Sequence, residues 1–256
     1  MVRLKGKAVT EAGGHNATGK TSTAKAVVVE GVHRRFGSLR VLKGLDLEIA
    51  KGEAVVLFGA NGSGKTTMLR ILAGLSRPEA GTVRVLGTRL PGGSTLRRRI
   101  GMVAHESWLY GDLSASENLR YYSRLYRIEG NGVVERAIAA VGLEAAAERP
   151  ARTFSRGMLQ RLALARACLH GPELLLLDEP FTGLDPEGAE SFCAMLTALG
   201  RTETTVLLTT HDIRRGLAVA GRALLLHKGR MAWDSGPELP DVEMMQEVYK
   251  RTVGGA

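Results

Sequence analysis

One stretch, AVVLFGANGSGKTTMLRIL at residues 54–72, constrains the fold of this chain more than any other. Ala54 to Phe58 are apolar and partly β-branched, which predicts a short buried strand. Gly59 to Thr66 then fits the pattern G-x-x-x-x-G-K-[ST], and the residues from Thr67 onward are compatible with a helix. A strand, a glycine loop and a helix in this order form the setting in which this pattern binds phosphate.

The residue types of this loop suit an anionic ligand. Its glycines let the backbone turn tightly and bring N–H groups together, and the helix N-terminus adds about half a positive charge. Lys65 can reach the β- and γ-phosphates of a nucleotide, and the Thr66 hydroxyl can ligate Mg²⁺. Thr67 is expected to serve the first turn of the helix. The alternative interpretation is a glycine-rich turn that only joins a strand to a helix.

A second copy of the pattern lies at Gly14 to Thr21, but its surroundings differ. No apolar strand precedes it, and Ser22 to Lys25 is a poor opening for an amphipathic helix. A loop without an anchoring strand cannot hold its N–H groups together. We therefore interpret this copy as a chance match or a flexible tail, and we predict that residues 1–25 form a flexible N-terminal extension.

The composition limits the classes of protein that the chain can represent. Its 256 residues suffice for one large α/β domain or for a domain with a subdomain. No apolar run approaches the roughly 18 residues of a membrane span. The N-terminus lacks the apolar segment of a signal peptide, so we do not expect the chain itself to be secreted. Cys168 and Cys193 show no metal-binding spacing and are expected to be reduced.

The net charge of +9 admits nucleic acid, anionic lipid or phosphate-rich ligands as partners. The alternative is a solvated basic surface without a specific partner. No aromatic-rich nucleic-acid motif accompanies the charge, so we do not expect a nucleic-acid partner.

Three short segments flank the glycine loop with strand-like patterns. Ala26 to Glu30 is apolar, residues 45–49 alternate apolar and polar side chains, and residues 81–87 alternate again. Together they predict a small antiparallel sheet beside the phosphate-binding strand. Phe36, in a predicted turn at residues 35–37, could stack on a purine base or cap the core.

Residues 105–153 predict an all-helical subdomain. Ser114 and Glu117 have the spacing of a capping box at a helix start, and Leu119 begins an apolar helical repeat. Residues 133–141 form a second helical stretch that Gly142 stops. A further helix is predicted after Met158, and a short one from Val242.

Two later strands carry polar residues at their carboxyl ends. Residues 174–177 are four leucines, typical of a strand buried on both faces, and Asp178-Glu179 follows them. Residues 205–209 form another buried strand that ends near His211, and residues 223–226 and 231–233 predict a hairpin. Asp178 can hold Mg²⁺, and Glu179 can take a proton from an attacking water, which is typically worth about 10²–10⁴ in rate. The alternative is two solvated acids at a strand end, and His211 could donate to phosphate or be an ordinary satisfied polar residue.

In this order the motifs resemble those of an ATP-binding cassette ATPase, over about residues 26–233. Gly59 to Thr66 matches the phosphate loop, and Leu174 to Asp178 with Glu179 matches the second nucleotide motif and its catalytic glutamate. Thr182 to Asp185 resembles the loop that couples two protomers, and His211 matches the switch histidine.

The signature segment of that family resembles Ser155 to Met158, with Arg156 where glycine is usual and Met158 where glutamine is usual. In the family this segment caps ATP bound to the opposite subunit, so the resemblance implies a head-to-tail homodimer, and Arg156 adds a donor near phosphate.

His105 aligns with a glutamine that senses metal and water in the family, and Glu106 is the alternative residue for that position. The resemblance implies catalytic roles for Glu179, His211 and Lys65; nucleotide contacts for Phe36, Gly59, Asn61, Gly62, Ser63, Gly64, Lys65, Thr66, Thr67, Ser155 and Gly157; and metal contacts for Thr66, Asp178 and His105.

The resemblance implies an α/β phosphate-loop fold with a mostly parallel core sheet, a flanking antiparallel β subdomain and a helical subdomain. It places an ATPase domain at residues 26–236, with the helical subdomain at about 105–153, and a C-terminal tail at 237–256. ATP and Mg²⁺ are the expected ligands.

Residues 105–113 and 117–119 are similar to the ATP-binding subunit of heme exporters in cytochrome c maturation. The expectation is a cytoplasmic ATPase, peripheral on the inner face of the cell membrane, that drives heme export for cytochrome c biogenesis through a separate permease docked on the helical subdomain. Export of a drug, lipid or polysaccharide is an alternative. A soluble ATPase acting on nucleic acid or ribosomes, or a non-catalytic nucleotide-binding regulator, would be of another class.

Overall fold

The computed structural model describes residues 24–104, 106–200 and 203–254. The second glycine pattern at residues 14–21, almost all of the predicted extension and His105 lie outside these ranges. The strands are β1 (Lys25–Phe36), β2 (Leu39–Ala50), β3 (Ala54–Phe58), β4 (Ala80–Val85), β5 (Thr88–Arg89), β6 (Ile100–Val103), β7 (Leu174–Asp178), β8 (Thr205–Thr209), β9 (Arg222–His227) and β10 (Arg230–Asp234). The helices are α1 (Lys65–Leu72), α2 (Gly93–Arg97), α3 (Ala115–Tyr126), α4 (Val133–Ala140), α5 (Arg156–Cys168), α6 (Pro186–Gly200), α7 (Ile213–Val219) and α8 (Val242–Val253).

The central sheet has six strands in the order β10-β9-β3-β8-β7-β6. Its neighbours are parallel except for β9 and β10, which form the predicted hairpin. Every residue of β7 and β8 is buried, because helices cover both faces of the sheet. Asp178 pairs with Thr209 in register. The carboxyl ends of β3, β7 and β8 therefore meet at one edge of the sheet.

The second sheet is antiparallel, with the order β2-β1-β4-β5, as the alternating segments predict. In β2, Leu45, Leu47 and Ile49 are buried, whereas the residues between them face solvent. Two boundaries differ from prediction. Lys25 begins β1 instead of ending an extension, and Phe36 ends β1 instead of lying in a turn. The strand is long because it pairs with both β2 and β4, a tertiary effect that local composition does not encode.

The helical region of residues 106–154 contains α3, α4 and two short 3₁₀ turns. The capping box is present: Ser114 Oγ accepts from the Glu117 N–H at 3.1 Å, and the Glu117 carboxylate accepts from the Ser114 N–H at 2.8 Å. Leu119 and Ile138 pack in a core of their own that also includes Leu162 of α5. This helical core therefore extends past residue 153 into α5.

Cys168 and Cys193 are free thiols, and burial raises the pKa of Cys168 to about 12.

Across the described ranges, no helix combines the length and the apolar character that crossing a membrane requires.

Candidate nucleotide-binding site

The glycine loop joins β3 to α1, as the sequence predicts. Its backbone needs glycine at two points. Gly64 caps α1 with a φ of +111°, and a Cβ there would lie 2.8 Å from Leu42 Cδ2. A Cβ on Gly59 would lie 2.5 Å from the Leu226 carbonyl oxygen. The loop is therefore tightly packed against neighbouring strands, and its shape depends on the absence of side chains.

The inner surface of this loop is polar and suits a phosphate. Ser63 is buried, and its Oγ has no hydrogen-bond partner among the described residues. Asn61, Gly62 and Thr66 are exposed, while Thr67 is half-buried on the first turn of α1. An unpaired buried hydroxyl is unfavourable by itself, so Ser63 is a candidate hydrogen-bond donor to a phosphate oxygen.

Lys65 lies at the centre of the site and is 6% exposed. Its Nζ donates to the Gly59 carbonyl oxygen at 2.7 Å and lies 3.2 Å from Glu179 Oε1. The second contact is an ion pair without the geometry of a hydrogen bond. Helix α1 and strand β7 thus bring together an ammonium and a carboxylate that are far apart in the sequence.

Asp178 ends β7 and is 3% exposed. Thr209, at the end of neighbouring β8, donates from Oγ1 to Asp178 Oδ1 at 2.8 Å. The same hydroxyl accepts from the Glu179 N–H at 3.2 Å, and the Thr209 carbonyl also accepts from that N–H at 3.0 Å. Thr209 therefore fixes both acids. Sequence reasoning missed it, and its position at the end of a buried strand beside His211 was the available signal.

Glu179 has a φ of +50°, an uncommon conformation for a residue other than glycine. Such strain costs about 1 kcal/mol or more and is typical of functional sites. The turned backbone places Glu179 Oε2 3.0 Å from His211 Nδ1, while Oε1 faces Lys65. His211 itself is largely exposed. Lys65, Asp178, Glu179 and His211 thus form one constellation at the sheet edge.

The serine-bearing segment lies apart from the glycine loop in the chain fold, at the start of α5. Ser155 is the N-cap of α5, and its Oγ accepts from the Met158 N–H at 3.3 Å. Gly157 follows on the first turn. Arg156 packs over the predicted coupling loop, since a Cβ on Gly183 would lie 2.5 Å from Arg156 Nε. It also lines a cavity of about 310 Å³ with Asp178 and Glu179.

Two further predicted positions lie at the edges of the described site. Phe36 is 52% exposed, and the Arg34 guanidinium lies 4.7 Å from its ring centre. His105 is outside the described residues, and its rival Glu106 is exposed. The base-stacking role of Phe36 and the metal role of His105 stay predictions.

The donor set fits Mg²⁺ bound together with phosphate. Thr66 offers an exposed hydroxyl and Asp178 a carboxylate, and Mg²⁺ usually combines one or two such ligands with substrate phosphates and water. Within residues 24–104, 106–200 and 203–254, no group of three or more His, Cys, Asp or Glu could hold a metal by itself. A Mg²⁺ ion held by Thr66 and Asp178 would take its remaining ligands from phosphate oxygens and water.

The fold and this site define an α/β phosphate-loop protein. The family described as "ABC transporter" matches residues 42–182, which include the glycine loop, Asp178 and Glu179. The chain belongs to the ABC transporter family.

Two curated relatives illustrate the range of the family. The chain is 35% identical over 206 residues to Nod factor export ATP-binding protein I of Ralstonia nicotianae, covering 79% of this chain and 64% of the relative. It is 35% identical over 211 residues to daunorubicin resistance ATP-binding protein DrrA3 of Streptomyces coeruleorubidus, covering 80% and 65%. The match thus spans just under two thirds of the length of these relatives.

A solved structure is also similar. It is the dimeric structure of a post-hydrolysis state of the ATP-binding cassette MJ0796, bound to ADP and Pi. The TM-score is 0.75 at 28% sequence identity, and the match covers 84% of this chain and 99% of that chain. The described fold, with its parallel core sheet, antiparallel flank and helical region, is therefore that of a cassette ATPase.

Proposed function

We propose that this chain is the ATP-hydrolysing subunit of a transporter, and that it drives a separate membrane permease. The observation that carries the proposal is the convergence on Glu179 of two groups from different parts of the chain, one at the start of α1 and one just after β8. Lys65 Nζ lies 3.2 Å from one carboxylate oxygen, and His211 Nδ1 lies 3.0 Å from the other. A carboxylate held between a phosphate-loop lysine and a histidine is placed to act on the terminal phosphate of a nucleotide.

The chemistry follows from these positions. The N–H groups of the glycine loop and Lys65 bind the β- and γ-phosphates of ATP. Thr66 and Asp178 would hold Mg²⁺, which neutralises charge on the phosphate oxygens when bound. Glu179 orients a water and accepts its proton as the new oxygen–phosphorus bond forms and the bond to the β-phosphate oxygen breaks. His211, aligned by Glu179, donates to the γ-phosphate oxygens.

The proposal includes a head-to-tail homodimer around two ATP molecules. The similar cassette is a dimer, and in this chain Ser155 and Gly157 sit at the exposed N-terminal end of α5 instead of inside the glycine loop. Their hydroxyl and N–H groups are therefore available to the γ-phosphate of a nucleotide held by the second copy. Arg156, resting on Gly183, would link that contact to the coupling loop.

The permease is expected on another chain, docked against the helical region, which places this subunit on the cytoplasmic face of the membrane. The relatives reported above are named for Nod factor export and daunorubicin resistance, and neither name concerns heme. These names favour export of a drug, lipid or saccharide over the heme export that residues 105–119 resemble. They also favour a transporter over a soluble ATPase that acts on nucleic acid.

Substitution of Glu179 by Gln tests the assigned base. We expect ATP binding to persist, hydrolysis to fall by about 10²–10⁴, and a dimer that retains ATP to accumulate. Phosphate release and light scattering with ATP and Mg²⁺ measure both effects. Glu187→Gln, an exposed acid on α6, is the matched control and should behave like the unmodified chain. A Glu179→Gln variant that hydrolyses ATP at the normal rate would remove the proposed mechanism.

A further inference from the structure

The hairpin between β1 and β2 ends in two exposed apolar side chains. Phe36 is 52% exposed, and its cross-strand partner Leu39 is 66% exposed. Gly37 and Ser38 form the turn between them. A single exposed apolar side chain is ordinary, but a pair at the tip of a hairpin is a candidate contact surface for a ligand.

Strand β2 connects this tip to the glycine loop. Arg34 pairs across the ladder with Leu42, and a Cβ on Gly64 would lie 2.8 Å from Leu42 Cδ2. The register shifts just after Arg34, which leaves Val41 as an extra residue on β2 with its carbonyl oxygen 3.2 Å from that same Cβ position. Since a strand rises about 3.3 Å per residue, Phe36 stands about 7 Å further along β1 than the point where β2 contacts the loop.

The Arg34 guanidinium covers the Phe36 ring from one side. Both side chains point to the same face of β1, because residues two apart in a strand share a face. The guanidinium carbon lies 4.7 Å from the ring centre, which is within the range of a cation–π contact. Its Nη1 donates to the Arg77 carbonyl oxygen at 3.1 Å, and its Nε is buried without a partner among the described residues. The half-buried guanidinium is therefore held between a backbone carbonyl and the ring.

The segment after α1 fixes this end of β1 by a second route. The Glu79 N–H donates to the His33 carbonyl oxygen at 2.9 Å, and the Glu79 carboxylate accepts from the Arg35 N–H at 3.3 Å. Arg35 Nε also pairs with that carboxylate at 3.3 Å. The charge of Arg35 is thus compensated by Glu79, whereas the guanidinium of Arg34 is stacked on an aromatic ring.

We propose that Arg34 is a positioning residue for the nucleotide base: it holds the Phe36 ring from behind, and the base stacks on the open side of that ring. The inference rests on the proposed function. It goes beyond the expected stacking by Phe36, because base binding then depends on a guanidinium that does not itself touch the nucleotide. A ring that is fixed before the base arrives loses less conformational freedom on binding.

Two ligands separate the base from the phosphates. ADP carries a base and pyrophosphate does not, and calorimetric titration of the full chain with Mg²⁺ measures both, pyrophosphate by displacement of ADP. The ratio of the two dissociation constants, pyrophosphate over ADP, reports what the nucleoside adds. Phe36→Ala should lower this ratio about tenfold, a typical loss for base–aromatic stacking. Arg34→Gln should lower it about threefold, as expected for an exposed cation–π contact, and pyrophosphate affinity should stay unchanged in both variants.

The double variant decides whether Arg34 acts through the ring. Phe36→Ala combined with Arg34→Gln should lower the ratio about tenfold, as Phe36→Ala does alone, and not by the roughly thirtyfold of two independent losses. Arg35→Gln is the matched control, an adjacent exposed arginine paired with Glu79, and should leave the ratio unchanged. Melting temperatures show whether each variant folds. Should Arg34→Gln unfold, Arg34→Lys takes its place in the cycle, because an ammonium cannot stack flat on the ring.

Four results would overturn the inference. They are an unchanged ratio in the Arg34 variant, equal effects of Arg34→Gln and Arg35→Gln, additive losses in the double variant, and a ratio unaffected by Phe36→Ala. In each of them pyrophosphate still binds, so the proposed ATP site survives. Loss of pyrophosphate binding by the unmodified chain would instead remove the proposed function, and the inference with it.

Discussion

The carboxyl end of the six-stranded sheet and the helical region arrange their polar groups in opposite ways. At the sheet end, Lys65 and Asp178 are almost fully buried and are held by contacts between distant parts of the chain. In the helical region, Asn118 is buried but bonds only to backbone groups of residues 110–114. There the large side chains at Trp108 and Tyr121 face outward. Contacts between distant segments hold Lys65 and Asp178 in place, whereas Asn118 is held by its neighbours in sequence, beside aromatic side chains that are exposed to solvent.

Replacing Lys65 by Ala should give the largest effect, because it removes the central cation of the sheet end. We expect ATP hydrolysis to fall by about 10²–10³, as when one preorganised charge-stabilising donor is lost. Phosphate release measures the change. Lys20→Ala, in the second glycine pattern, is the control and should leave the rate unchanged. The reverse outcome would move the site to the N-terminal pattern.

Thr209→Val should produce a smaller loss through positioning. The isosteric change removes the hydroxyl that bonds to both Asp178 and the Glu179 N–H. We expect a loss of stability of about 1–3 kcal/mol from unpaired buried groups, together with slower hydrolysis.

Thr205→Val is the matched control at the other end of β8, where the Thr205 hydroxyl accepts from the Gly52 N–H. It should lower stability but leave the hydrolysis rate per folded molecule unchanged. Denaturant melts and steady-state kinetics on both variants separate stability from positioning. Equal kinetic effects would show that β8 contributes only stability.

Asn118→Ala tests the local bracing of the helical region. The variant loses the bonds that fix residues 110–114, which should cost about 1–3 kcal/mol of stability. Hydrolysis by the isolated chain should change less than for Thr209→Val, because no group of the sheet end moves. Thermal melts and phosphate release check this. A rate as low as that of Lys65→Ala would contradict the division between the two regions.

Asp234→Asn should give the smallest effect, at the far edge of the sheet. Hydrogen bonds from Arg222 hold the pKa of Asp234 below its ordinary value of 3.8. A carboxylate with a lowered folded pKa stabilises the fold above its unfolded pKa and loses that contribution as pH falls through the folded value. The pair is partly exposed, so the variant should lose at most about 1 kcal/mol at neutral pH. In pH-dependent melts, this difference should shrink below about pH 3.8; a difference that grows there would contradict the assignment.

Local patterns predicted the parts of this site that are continuous in sequence. The glycine loop, the capping box at Ser114 and the leucine strand before Asp178 each carry their signal within about ten residues. The bond from Thr209 to Asp178 and the pairing of Lys65 with Glu179 depend on strand order, which no local pattern contains.

Five elements, β5, β6, α2, α6 and α7, were overlooked, and two of them show different reasons. Strand β6 is short and follows an arginine run, so its apolar pattern is too brief to recognise. Helix α6 did carry a start signal: Asp185 accepts from the Gly188 N–H, and Pro186 occupies the first helical position. A cavity of about 110 Å³ beside Arg166 could not be foreseen, because its lining combines residues of α2, β6, α3 and α5 with residues just after α1.

Strand β8 lies between the strand that leads into the glycine loop and the strand that supplies the acids. Its last residue bonds to both acids, and His211 and the α7 N-cap Asp212 come within three positions. Helix α7 in turn packs on α6 and α8. In the proposed mechanism, departure of the terminal phosphate would change the surroundings of His211, two residues before α7 begins. We therefore expect a fluorophore on the outer face of α7 to register each turnover before any distant motion develops.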